Sequence, residues 1–573
     1  MKIVSKIYRK TVLAAAVAFG VLTSSCTDYL TIIPADKVVE ENFWQTKDQI
    51  NGMLATSYLK LLSSDAVSKA IIWGEMRSDN MTFPTTGYNS DIKNLVEANI
   101  IDENGFCRWG VFYEAINYAN LILETADRAL ETDPDFTEGD LAVVKGEMYA
   151  MRALCHFYLV RTFRDIPLAT HSAKNDAEIP EYVQVHPLEA LNFIMDDLNK
   201  AEDMVMKSGS FANPAQNLGR ITKNAVLAIK ADVNLWRAAF AKYYEDKVEY
   251  VSPGDVQAYY AECVQNCETL LANMDAAIAK ENEGKQVETY PYNLIPNRGE
   301  VKEKDETHVS TAYDEIFGAK NSSESIFELQ VQGDNTTNGF ARGVYNVYGS
   351  EGKPGMACVP TGFVTSNYEE DDLRAYSFTN LKSFKQTSGT DNSTTCITKY
   401  SAKSSPAGNY RKSDDWDANW IVYRRTDVML MMAEAMVSQD NVNDSILKDA
   451  FDIVNAINTR SRIDTANIKY PLKFDNYRTQ DAAIKLVRKE RLLELSYEGK
   501  RWYDLVRQAL IEKSTDNIKF VADKLESGKD VVKTKMSTID GLFLPIHIDE
   551  LRYNKNLKQN DAYEKKNSST EMN

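Results

Sequence analysis

Histidine is scarce, with 5 in 573 residues, and the 7 cysteines include no Cys-x-x-Cys pair. Both shortages argue against a zinc module, which needs several such ligands at close spacing. Basic residues are outnumbered: 66 Lys and Arg against 83 Asp and Glu give a net charge of −17. Phosphate neutralisation needs a basic face, so nucleic-acid binding is disfavoured. With 26 Gly and 15 Pro there is no fibrous bias. Beyond the N-terminus no apolar run approaches the roughly 18 residues that a membrane-spanning helix needs. What remains is ordinary globular composition, 43% hydrophobic and 26% charged, too apolar for disorder. Length alone would allow three or four domains, a prior that fails for helical-repeat proteins.

The first 26 residues carry the clearest local signal. Lys2, Lys6, Arg9 and Lys10 form a basic start, and an apolar stretch follows over residues 11–22. It is too short to span a bilayer and fits the apolar part of an export signal. Leu22, Thr23, Ser24 and Ser25 then lead to Cys26, in the manner of a bacterial lipoprotein cleavage box that lipidates this Cys. Thr23 stands where such a box prefers Leu. Residues 1–25 therefore read as a lipoprotein signal peptide, and residues 26–573 as one domain tethered by acyl chains (palmitate among them) at Cys26. Two or more chains anchor stably, at about 0.8 kcal/mol per buried CH₂. Cleavage removes four basic residues and no acidic ones, taking the charge from −17 to −21. Six cysteines remain: Cys107, Cys155, Cys263, Cys267, Cys358 and Cys396. Export permits disulfides, but the spacing shows no dense framework, and buried small hydrophobes is the ordinary reading.

The pattern is helical for most of the length. Phe112, Tyr113, Ile116, Ala119 and Leu123 form one stripe at spacings of three and four, and Val144, Met148, Met151, Cys155 and Leu159 form another. Asp133, Pro134 and Gly139 mark a turn between them. Residues 188–206 predict a helix, and Thr222 can cap the next, with its face at Val226, Ile229, Val233, Trp236 and Phe240. Residues 423–437 and 447–460, then 481–497 and 500–510, predict two more pairs. The fold class is therefore mainly α, a tetratricopeptide-like helical-repeat scaffold over about 40–280 and 420–510. A loop-rich insert of short strands and short helices is expected over about 280–420, where glycines cluster and Ile326, Glu328 and Val331 alternate. Binding residues usually sit on such loops.

Six segments, in order, resemble the RagB/SusD family of outer-membrane nutrient-binding lipoproteins. They are CTDYLTIIP at 26–34, NFWQTKDQINGMLATSY at 42–58, WGVFYEAINYAN at 109–120, NWIVYRRTDVMLMMAEA at 419–435, ERLLELSYEGKRWYDL at 490–505 and PIHIDELRYNKNLKQNDAY at 545–563. The last lies in an expected C-terminal signature over 540–563. The chain departs from the family at Lys555, where Pro is frequent, at Asp561 and Ala562, where Pro-Gly is common, and at Arg164, where Gly is usual. The resemblance implies a cell-surface glycan-binding lipoprotein, not an enzyme and without a cofactor. It would capture an oligosaccharide and deliver it to a SusC-like TonB-dependent β-barrel transporter. It implies an outer-membrane, lipid-anchored, surface-exposed location. A peptide- or protein-binding member of the same family is the alternative, and a secreted glycoside hydrolase a third reading.

A sugar site is an aromatic platform rimmed by polar groups. Trp44, Trp109, Trp236 and Trp502 sit on helical stripes or in family segments and read as packing residues; Trp73 is ambiguous. Four loops carry the candidates. Asp79, Asn80, Phe83 and Tyr88 lie in the first, Tyr290 and Tyr292 in the second, Phe340, Arg342, Tyr345 and Tyr348 in a Gly-rich third, and Trp416 with Asp417 in the fourth. No metal ligand is assigned; Glu369 to Asp372 read as a solvated acidic run rather than a calcium site. Glu490 and Glu494, one helical turn apart, read as helix-packing ion pairs partly buried between helices, against the alternative of a catalytic acid/base pair.

Overall fold

The computed structural model describes residues 43–564, apart from 176–177, 286–289, 298–300, 303–306, 309, 332–338, 346–354, 382–394, 405–408, 412–415 and 465–467. Cys26 and Tyr348 lie outside the described residues, as does the side chain of Phe340.

The N-terminal half is a series of helices: α1 (Lys47–Leu61), α2 (Ser64–Ile71), α3 (Gly110–Thr125), α4 (Glu138–Phe163), α5 (Pro187–Met204), α6 (Lys223–Tyr243) and α7 (Asp255–Glu281). Their starts are written in local chemistry. Thr46 with Gln49, and Thr137 with Asp140, close capping boxes at α1 and α4, satisfying N–H groups that the helix itself leaves unpaired. The expected cap by Thr222 is relayed instead. Its hydroxyl pairs with Ser208 Oγ at 2.8 Å, and Ser208 Oγ accepts the Asn224 N–H at 3.3 Å.

The α4 stripe is buried, as are Phe112, Ile116 and Ala119 of the α3 stripe, with Tyr113 and Leu123 half-buried; α4 packs on α3 and α5, α6 on α5 and α7. The second helical block continues this stack. It comprises α9 (Arg425–Val437), α10 (Asp444–Arg460), α11 (Gln480–Leu495) and α12 (Arg501–Glu512), with α9 against α7 and α12 against α6. The two blocks therefore share one core, although some 140 residues separate them in the chain.

Between them lie short elements, among them strand β1 (Ser325–Leu329) and helix α8 (Gly339–Tyr345). Strand β2 (Trp420–Arg424) precedes α9 and pairs antiparallel with β1, Ser325 opposite Arg424 and Leu329 opposite Trp420. The sequence pattern placed 423–437 in one helix; the structure ends a strand at Arg424 and starts α9 at Arg425. Both strands are buried along their whole length, so the alternation of Ile326 and Glu328 does not mark an exposed face. Glu328 is instead held by Ser325 and by Asn419 Nδ2 at 2.7 Å.

Arg164, at the end of α4, has φ 69° and ψ −75°. The Asp165 N–H reaches the Phe163 carbonyl at 3.0 Å across it, a γ-turn of the rare, strained kind. That geometry explains why a glycine would suit the position. Here ion pairs to Asp165, at 2.6 Å, and to Asp540 offset the strain.

Candidate functional site

The chain after α2 widens into a single π-turn over Ile72–Met76, and this sets up the whole region. A Cβ on Gly74 would stand 1.7 Å from the Gly499 carbonyl oxygen, so only glycine lets the two segments touch. The contact aims Glu75 at the start of α12. Its carboxylate accepts the N–H groups of Tyr497 at 2.7 Å, Lys500 at 2.9 Å and Arg501 at 3.2 Å. Burial nonetheless pushes its pKa up to about 7.

Asp79 and Asn80 follow directly, and here the structure corrects the expected ligand residues. Asn80 is buried and bonded to Glu75, Ser78 and Ser496. Asp79 is ion-paired to Arg501 at 2.9 Å. Both hold the turn beneath the loop. Lys524 secures the same turn from the C-terminal side, donating to the carbonyls of Met76, Ser78 and Met81.

Within the 82–89 loop, residues 85–89 are exposed, while Pro84 is buried and Thr82 and Phe83 are half-buried. Thr82 and Cys358 exchange backbone hydrogen bonds of 2.9 and 2.8 Å, fixing one end. Asn89 fixes the other by capping the helix Ser90–Val96. Gly87 supplies the left-handed turn, with φ 67°. On this frame Tyr88 is 46% exposed and packs edge-on to Phe83 with ring centroids 5.7 Å apart. Lys93 Nζ lies 4.9 Å from the Tyr88 centroid and 5.9 Å from that of Phe83. Sequence reasoning missed Lys93. Its signal was its place one helical turn after the Asn89 cap.

The third loop is the largest correction. Residues 339–345 form α8, packed on α2. Tyr345 is 1% exposed, donates to the Tyr497 carbonyl at 2.7 Å and stacks on Tyr400 at 5.7 Å. It is a core residue, because the helix turns its ring inward beneath the loop cluster. Arg342, on the same helix, is half-buried. Trp416 is likewise fully buried and Asp417 is held by Arg411 and Lys320, so the Trp416 ring does not reach solvent. Trp73 is also core, donating its indole N–H to the Phe106 carbonyl at 2.7 Å.

Tyr290 is half-buried and Tyr292 is 39% exposed, around a short turn at Pro291–Asn293. Arg425 donates to the Tyr292 carbonyl at 2.8 Å and pairs with Asp275 at 2.7 Å, so this ring stands where α7 meets α9. It belongs to different elements from Tyr88.

A separate groove of about 530 Å³ runs along the repeat helices, with Leu227, Lys230 and Arg237 of α6 as its floor. Its walls include Asn192 and Asn199 of α5 and Gln265 and Asn266 of α7. Nothing in the sequence reading singled these amides out, though residues 192, 195, 196 and 199 share one helical face.

The Glu490, Glu494 and Glu498 carboxylates are interior rather than partly buried. Glu490 accepts from Arg374 at 2.6 Å and Asn458 at 2.9 Å. Glu494 is contacted by Arg424 and Arg460, each at 2.8 Å, and by Arg374 at 3.2 Å. Glu498 pairs with Arg424 and Lys399. Burial alone would raise the Glu494 pKa; the surrounding guanidinium groups outweigh it and hold the carboxyl well below its usual range. Both glutamates are at most 2% exposed, fully occupied, and closed to a substrate. In the acidic run, Glu370, Asp371 and Asp372 pair with Lys469, Arg462 and Arg374. Among the described residues no group of three or more His, Cys, Asp or Glu is placed to hold a metal ion.

Two family models match the chain. The SusD family model covers residues 372–563, and one described as starch-binding, associating with outer membrane, covers residues 28–235. The SusD-like protein P38 of Formosa agariphila is 24% identical over 513 residues, 86% of this chain and 89% of its own. A SusD homolog from Bacteroides thetaiotaomicron superposes with a TM-score of 0.65 at 20% identity, over 91% of this chain and 100% of that one. NanU of B. fragilis superposes with a TM-score of 0.63 at 19% identity, over 93% of this chain and all of its own. At these identities the structural likeness establishes the fold.

Proposed function

The chain belongs to the RagB/SusD family, and from that premise we propose that it is a cell-surface glycan-binding lipoprotein. It captures an oligosaccharide on the 82–89 loop and passes it to a SusC-like TonB-dependent β-barrel transporter. One observation carries the assignment of the site: Tyr88 stands exposed beside Phe83 on a loop pinned at both ends, with an ammonium group above the rings. Sugar rings lay their C–H faces on aromatic rings, and their hydroxyls accept from a cation such as Lys93. A pinned loop loses little freedom on binding, which favours affinity. The starch-binding description of the family model that spans this loop supports the ligand class. No residue is assigned a catalytic role.

Affinity electrophoresis against plant, fungal and host glycans tests the reading. At least one glycan should retard the chain, and Tyr88→Ala should abolish or weaken that retardation. Retention by tryptic peptides and by no glycan would overturn it. Release of reducing ends from a retarding polysaccharide would replace it with the hydrolase reading.

The amide-walled groove favours a second reading, a peptide-binding member. Asn and Gln offer both donor and acceptor to an extended polypeptide backbone, and the groove presents no aromatic ring for a sugar to stack on.

Location follows the outer-membrane association in the family-model description. No helix among the described residues is long and apolar enough to cross a membrane. We assign attachment to lipid at Cys26, on the ground of the Leu22, Thr23, Ser24, Ser25 approach to it, and Cys26→Ala should move the protein from the membrane to the soluble fraction.

A further inference from the structure

We propose that Cys358 and Cys396 form a disulfide in the exported protein, stapling the segments that underlie the 82–89 loop. The structure holds both as buried thiols on adjoining extended segments. Cys358 spends both backbone hydrogen bonds on Thr82. The next residue, Val359, turns its N–H the other way, to the Thr395 carbonyl at 3.0 Å. Cys396 in turn spends its backbone groups on Asn380, the N–H on Oδ1 at 2.7 Å and the carbonyl on the Asn380 N–H at 3.1 Å. The bridges on either side, Thr82–Cys358 and Thr379–Ile397, are antiparallel. Continued in that sense, the Val359–Thr395 bond sets Cys358 opposite Cys396, with the backbone groups of both pointing away from each other. Such a non-hydrogen-bonded pair brings Cα atoms to about 4.5 Å with side chains on one face. That separation lies within the roughly 4.4–6.8 Å that a disulfide bridges. After burial, the leading influence on the Cys358 thiol is Cys396, which agrees with their being neighbours.

The other cysteines lack this relation. Cys263 and Cys267 are one turn apart on a single helix, and Cys107 and Cys155 lie on separate elements.

The chemistry is thiol–disulfide exchange with an organic disulfide, whether of a protein oxidant or a small molecule. The two Sγ–H groups lose two protons and two electrons and form one S–S bond; the donor's S–S bond takes up both and becomes two thiols. Burial pushes the folded thiols up, Cys358 to about 12 and Cys396 to about 11, which leaves little nucleophilic thiolate. Exchange therefore belongs to folding after export, before the segments close. Once buried, the bond is out of reach of reductant.

The test needs no ligand, so its outcome is independent of glycan capture. Full-length protein is harvested from the outer-membrane fraction with acid quenching, its thiols are alkylated, and it is digested with trypsin without reductant. The expected result is one species joining peptides 343–374 and 386–399, two hydrogens lighter than their sum and lost on reduction. Cys358→Ser and Cys396→Ser should each abolish it. Recovery of both peptides as separate alkylated species from the unsubstituted protein would overturn the proposal.

Discussion

Around Glu494, arginines and carboxylates meet inside the core with almost no solvent contact; around Tyr88, two rings and one lysine stand at the surface on a pinned turn. The two regions are joined through Glu75, which caps α12 on one side and anchors the turn below the loop on the other. Yet they spend their polar groups differently. In the interior each ionised group is matched by others, which is the condition for burying charge at all. On the loop the backbone and the supporting side chains are matched, Phe83 packs against the core, and the Tyr88 ring is left over. An exposed ring on a fixed frame marks a binding surface; a buried, ion-paired network marks architecture.

Substitutions can break this contrast, beginning with the largest effect. Arg374→Ala takes from buried Asp372 and Glu490 their arginine partner and from Glu494 one of its three. It should cost about 3–5 kcal/mol, read by urea denaturation, and a loss within experimental error would show that water already screens the network. Tyr345→Ala removes a stacked core ring and a buried hydrogen bond. It should cost about 3 kcal/mol, whereas an unchanged melting temperature with weakened ligand binding would return Tyr345 to the binding surface.

Acid offers a smaller, graded probe. Burial raises the Asp504 pKa, and Arg491 and Arg507 more than reverse this, leaving it at about 2. Because the folded value lies below the unfolded one, its contribution is complete above about pH 4 and is lost as pH falls toward 2. It amounts to about 2 kcal/mol. Denaturant midpoints at pH 7 and pH 3 should differ in that direction, and equal midpoints would count against the pairing. Tyr88→Ala should have the smallest effect on stability, within about 0.5 kcal/mol, while weakening glycan retention about tenfold. A large stability loss would make that ring architectural too.

Much of the scaffold was legible because helical stripes and turn residues are local signals. The α3 and α4 stripes and the four packing tryptophans all act over a few residues of chain. The ion-pair reading of Glu490 and Glu494 was also legible, since interleaved charges and leucines on one helix have few other uses. Their depth was not, because Arg374 and Arg424 come from 70 to 120 residues away. The site was legible only in part. Tyr88 and Tyr345 look alike in sequence, each an aromatic near glycines, and the start of β2 at Trp420 was hidden within an apolar run that suits a helix equally well.

The sequence by itself determined the family and the helical character, since each rests on residue order and spacing within short windows. Only the tertiary structure decided which rings face solvent. A ring's exposure depends on what packs against it from elsewhere in the chain. Tyr345 is sealed by Tyr400 and Tyr497, while the Thr82–Cys358 bridge and the Asn89 cap lift Tyr88 clear.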